Sequence, residues 1–77
     1  MKNAQHVLVT LAKRPTYKDD SAYGAFVREI IMAVNDEAQL NELQENFLSG
    51  LISTYLSVNR GGIIEAMSVA TWINSCR

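Results

Sequence analysis

Seventy-seven residues, seven basic against eight acidic, a net charge of −1 and an apolar fraction of 48% describe one ordinary globular domain spanning 1–77, exclude a disordered tail, and argue weakly against nucleic acid or an anionic membrane as the partner. Cys76 is the sole cysteine and His6 the sole histidine, so neither an internal disulfide nor a set of soft metal ligands is expected, and no cofactor. No 18-residue apolar run offers a membrane span, residues 1–11 are too short and polar for a secretory signal, and the unpaired thiol fits a reducing cytoplasm.

The first segment covers about residues 3–13. Ala4, Val7, Leu8, Leu11 and Ala12 fall at helical spacing. Val7, Val9 and Leu11 also alternate as a strand would, but no second strand exists to pair with them, so helix is preferred. Arg14 precedes Pro15 and is pushed out of the α region, which stops the helix near Lys13. In the second segment Ala22, Tyr23, Phe26, Val27, Ile30, Ile31 and Val34 follow the helical repeat without a miss. Thr16 with Asp19 matches a capping box, and Asp20 or Ser21 could cap a later start.

The third segment opens at Asn35 or Asp36, with Asp36 and Gln39 as a box-like pair. Leu40, Leu43, Phe47, Leu51, Tyr55 and Val58 form its main stripe, widened by Leu48, Ile52 and Leu56. Gly50 lies mid-way and costs about 1 kcal/mol against alanine, so it either breaks the helix or permits a close crossing. Gly61 and Gly62 are expected to supply the left-handed conformation of a helix end. The fourth segment runs from Ile63 to about Ser75. Ile63, Ala66, Met67, Ala70 and Ile73 make one stripe, and Ile64, Val69, Trp72 and Cys76 widen it beyond a single face, which places this helix centrally in the core or in an interface.

Together these segments predict an all-α, compact bundle of about four helices and no sheet. The expected interior is Leu8, Leu11, Phe26, Val27, Ile30, Val34, Leu40, Leu43, Phe47, Leu51, Tyr55, Met67, Ala70 and Ile73. A core of this size rarely supplies more than about 3–5 kcal/mol, so self-association or a partner is the support that remains.

Catalytic chemistry finds few candidates. A hydrolytic nucleophile needs a base within hydrogen-bond reach and a third group to orient that base. His6 is the only candidate base, and no glycine-rich or oxyanion-type turn adjoins it. Asp19 and Asp20 suit a helix cap better than a catalytic pair, and no catalytic residue is assigned. The third and fourth segments have the outline of a helix-turn-helix. A recognition helix must present basic or amide side chains to DNA, yet the fourth helix has Glu65 in its first turn and no basic residue before Arg77. The basic residues that cluster, Lys13, Arg14 and Lys18, surround Pro15 instead. Nucleic acid is therefore disfavoured as a partner.

The charge map is the most informative feature. Residues 46–76 carry only Arg60 and Glu65, where average composition gives about eight charges. Exposed apolar surface marks interfaces, and Trp, Tyr and Met are enriched in their cores. The candidate interface is therefore Tyr55, Ser53, Ser68, Trp72 and Ile64, with Tyr55 and Trp72 as anchors, facing a second copy of the chain or a partner protein. Asp36, Glu37, Glu42 and Glu45 form a candidate acidic patch, or a plain solvated face.

The 77-residue length, the lack of catalytic motifs and the acidic stretch 36–45 resemble the small proteins that phages and mobile elements encode to block host or defence machinery, anti-CRISPR proteins among them. The likeness is one of size and character over the whole chain, without a shared motif. It implies a non-enzymatic inhibitor or adaptor that occludes a site on a larger partner. A small helix-turn-helix regulator and a self-assembling structural subunit are the alternatives.

Overall fold

The computed structural model describes residues 1–13 and 21–76. The expectations made for Arg14, Pro15, Thr16, Lys18, Asp19 and Asp20, and for the side chain of Ser21, lie outside what it describes. Four helices carry the fold: α1 (Ala4–Ala12), α2 (Ser21–Ala33), α3 (Glu42–Ser57) and α4 (Ile63–Ser75). The all-α bundle expected from periodicity is the architecture found. One correction concerns the sheet. Two residues at the start of the chain, β1 (Lys2–Asn3), pair antiparallel with β2 (Gln39–Leu40). Such short strands leave no period in the sequence.

α1 begins at Asn3, whose side chain accepts a hydrogen bond from the His6 N–H (3.1 Å), satisfying one of the helix's free donors. Ala4, Val7, Leu8 and Leu11 are buried, as the helical reading required. α2 is the central element, packed against both α1 and α4. It buries Tyr23, Phe26, Val27 and Ile30, with Val34 just beyond its end. The Tyr23 hydroxyl donates to the Leu11 carbonyl (3.0 Å) inside the core and ties α2 to the last turn of α1. The fourth helix is thus not the central one, despite its apolar circumference.

The third helix starts later than expected. Residues 35–38 turn, Gln39 and Leu40 pair with the N-terminal strand, and Asn41 is the cap. A capping box closes there: the Gln44 N–H donates to Asn41 Oδ1 (2.8 Å) and the Asn41 N–H donates to Gln44 Oε1 (2.9 Å). Asn41–Gln44 won over Asp36–Gln39 because Asn35 to Ala38 is engaged by the N-terminus. Ala4 N–H donates to the Ala38 carbonyl (2.8 Å), Asn3 Nδ2 to the Asp36 carbonyl (2.7 Å) and Gln5 Nε2 to the Val34 carbonyl (3.1 Å). Gly50 neither breaks α3 nor serves a close crossing, since a Cβ there would meet nothing within 4 Å.

α3 ends in a Schellman motif. Arg60 N–H donates to the Tyr55 carbonyl (2.7 Å) and Asn59 N–H to the Leu56 carbonyl (3.0 Å). The left-handed residue is Asn59, at φ 60, and neither Gly61 nor Gly62 has a positive φ. Asparagine tolerates that conformation better than other side-chain-bearing residues. Gly61 serves packing instead: a Cβ there would stand 2.8 Å from Leu56 Cδ2 and 3.6 Å from Phe26 Cγ.

The largest correction is rotational. α3 buries Leu48 and Ile52, while Leu43 and Phe47, expected inside, are exposed; Leu51 and Tyr55 are half-buried. α4 buries Ala66, Val69, Ala70 and Ile73, and Met67, also expected inside, is exposed. Both helices carry more apolar positions than one face can bury, so two stripes satisfy the same spacing rule. Packing selected the one with better-fitting neighbours.

Candidate functional site: an uncharged apolar surface on α3 and α4

The rotation of α3 leaves Leu43 78% and Phe47 56% exposed. These residues stand one turn apart on the helix surface. Phe47 leans on Trp72 of α4, with ring centroids 5.1 Å apart and planes tilted by 51°. Trp72 itself is half-buried, packed on the core on one side. Leu43, Phe47 and Trp72 line one shallow hollow together with Gln44. The Gln44 carboxamide is held by the capping box, so this rim of the hollow is fixed. Tyr and Trp rings with one apolar side free are frequent interface anchors.

A second exposed apolar group lies on the first two turns of α4. Ile63, Ile64 and Met67 are exposed, Ile64 by 80%, and they share a hollow with Ser68 and Thr71. Among the described residues, no charged side chain borders either hollow.

The sequence-derived interface residues divide between these places. Trp72 belongs to the first hollow, and Ile64 and Ser68 to the second. Tyr55 is half-buried, its ring edge-on to Phe26 at 6.0 Å and 89°, so its ring is engaged by the core rather than held free as an anchor. Ser53 is half-buried, one turn beyond Ser49, which lines a cleft against α1. It is not among the residues that line either hollow. Leu43, Phe47, Ile63 and Met67 fall on the stripes that spacing alone marks as core-facing. Their signal was the same excess of apolar positions noted for α4, present on α3 as well.

The acidic residues do not act as one cluster. Glu45 pairs with Lys2 Nζ (3.4 Å), and Asp36 Oδ1 accepts from Gln5 Nε2 (3.2 Å). Glu42 lies exposed in the first turn of α3, where the helix dipole favours a carboxylate. Glu37 is exposed in the turn before β2.

His6 lines the cleft between α1 and α3 with Lys2, Thr10, Glu45, Asn46 and Ser49. The Glu45 carboxylate there is held by Lys2, and the Thr10 hydroxyl donates to the His6 carbonyl (3.0 Å). Cys76 borders a different hollow, with Asn35, Glu37 and Asn74. Its thiol donates to the Trp72 carbonyl (3.3 Å), and burial pushes its pKa up. Among the described residues, no three His, Cys, Asp or Glu side chains are grouped to hold a metal ion. Among the same residues, no helix is long and apolar enough to cross a membrane.

No protein-family model, curated protein or solved structure is significantly similar to this chain.

Proposed function

We propose that the protein is a non-enzymatic interaction module, a small inhibitor or adaptor of the kind phages and mobile elements encode, which acts in the cytoplasm by covering a site on a larger protein. The observation that supports this reading is the Leu43–Phe47–Trp72 surface, where a small domain leaves an aromatic pair and a leucine outside its core. Exposed apolar side chains clustered in this way mark binding surfaces more often than solvated ones. Removing them from water on binding is favourable, and among the described residues the hollow holds no charge that would need desolvating. A DNA-reading role for α4 has less support, because its outward side presents Ile64, Met67, Ser68 and Thr71 and no basic residue.

The experiment is in-cell cross-linking followed by mass spectrometry, comparing the natural chain with Leu43→Glu and Phe47→Glu. Both positions are exposed, so both variants are expected to keep the helical circular dichroism spectrum. One large partner should cross-link to the natural chain through α3 and α4 and be lost from both variants. A partner retained by both, or none at all, would overturn the reading.

A further inference from the structure

α3 is the longest of the four helices, yet among the described residues it supplies the fewest buried side chains. It buries Leu48 and Ile52, whereas α1, α2 and α4 each bury four side chains from nine or thirteen residues. Leu51, Tyr55 and Leu56 are only partly covered by the core, and Leu43 and Phe47 face outward. A helix in water is held mainly by packing of its apolar face, and α3 has the least of it for its length.

The second half of α3 is also weak as a helix in its own right. Ser49, Gly50, Ser53, Thr54 and Ser57 fall in this half, and all rank well below alanine and leucine as helix formers. Gly50 gains no packing in return, since a Cβ there would meet nothing within 4 Å. The Thr54 hydroxyl donates to the Gly50 carbonyl (2.8 Å) and the Ser57 hydroxyl to the Thr54 carbonyl (2.9 Å). Such bonds compete with the helix's own ladder. No basic residue stands in the last turn to offset the helix dipole.

The other elements are tied to one another by bonds outside α3. The Tyr23 hydroxyl joins α2 to the Leu11 carbonyl of α1. Asn3 and Ala4 hold the connector before α3, and Asn74 of α4 holds Asn35 and Ala33. Leu40, fully buried, anchors the chain just ahead of α3, and Ala66, also fully buried, anchors it beyond the turn that follows. Melting α3 breaks none of these ties.

We infer that α3 opens as a unit between these two anchors while α1, α2, α4 and the two-stranded sheet stay folded, uncovering the core surface on which Leu48 and Ile52 rest. Elements that move or bind are drawn from the least stable part of a fold, and α3 is the element that carries Leu43 and Phe47. Native-state hydrogen exchange on the free chain, read by NMR across low urea concentrations, tests the opening. The amides of residues 47–57 should share one opening, at least about tenfold more frequent than that of the slowest amides of α2, with a urea dependence shallower than theirs but not zero. Gly50→Ala should slow the α3 amides about two- to fivefold, because alanine favours the helix and has room there. Tyr23→Phe, which removes the bond to Leu11, should speed the α2 amides about two- to tenfold and leave those of α3 unchanged. One shared opening and one urea dependence for α2 and α3 would overturn the inference, because α3 would then open only in global unfolding. So would α3 amides without urea dependence, which fray singly, or α3 amides that Tyr23→Phe speeds as much as those of α2. Loss of the cross-linked partner would leave this outcome standing, since exchange is read on the chain alone.

Discussion

Phe26 and Phe47 share a residue type and lie on successive helices, yet their surroundings separate them. Phe26 is 1% exposed, with Tyr55 edge-on to its ring and Gly61 close beneath it. Phe26→Ala should cost about 3–5 kcal/mol, enough to unfold a domain of this size. Phe47 loses only part of its surface and one tilted ring contact, so Phe47→Ala should cost about 1 kcal/mol or less. Urea unfolding of the two variants checks the contrast, and equal losses would show Phe47 to be a core residue after all. Cys76 makes a second residue-scale prediction. Burial holds its thiol above the ordinary range, and the thiolate is the reactive form. Alkylation at pH 8 should therefore run slower in the folded chain than in urea, and a folded rate equal to the unfolded one would contradict the burial of this group.

At the scale of the elements, two asparagines define where α3 begins and ends. Asn41 closes the capping box, and Asn41→Ala should cost about 1 kcal/mol. Asn59 is the one non-glycine residue with positive φ among those described. Asn59→Ala should cost about 1 kcal/mol, whereas Asn59→Gly should be neutral or slightly stabilising, because glycine has no Cβ to strain there. Thermal melts of the pair report it: an alanine variant as stable as the glycine variant would mean the turn had relaxed out of the left-handed region. These elements also show what was legible in the sequence. In α2 a single stripe was available, so Phe26, Val27, Ile30 and Val34 could be placed inside from spacing alone. In α3 and α4 two stripes competed, and spacing could not choose between Leu43–Phe47 and Leu48–Ile52. The breadth of the apolar circumference of α4 puts Trp72 at the edge of the core, and it is half-buried there. The exposure of its neighbour Phe47 was not legible, because the choice between stripes is made by packing against other helices, which periodicity does not encode. The start of α3 had its signal in Asn41–Gln44, masked by the equally plausible Asp36–Gln39.

For the molecule as a whole, the first three residues do more than their number suggests. Asn3 caps α1, donates through its side chain to the Asp36 carbonyl, and pairs with Gln39, while Lys2 pairs with Leu40, a fully buried residue. The start of the chain therefore holds the connector between α2 and α3, more than thirty residues away. From the other side, Asn74 of α4 holds the same region: its Oδ1 accepts from the Asn35 N–H (2.8 Å) and its Nδ2 donates to the Ala33 carbonyl (3.2 Å). Without β1, the Leu40 end of the core loses its cover. The Lys2–Glu45 ion pair contributes little, because Lys2 is largely exposed. A lost cap costs about 1 kcal/mol and each lost hydrogen bond about 0.5–1.5 kcal/mol, so Asn3→Ala should cost about 1–2 kcal/mol. Removing residues 1–3 entirely should cost about 2–4 kcal/mol and lower the melting temperature by about 10–20 °C. Lys2→Ala should leave the melt nearly unchanged. Thermal unfolding of the three variants at one protein concentration decides it. A truncated chain that melts with the natural one would show that the connector is held by Asn74 and the core alone, and that the N-terminal strand is an ornament of the fold rather than part of its closure.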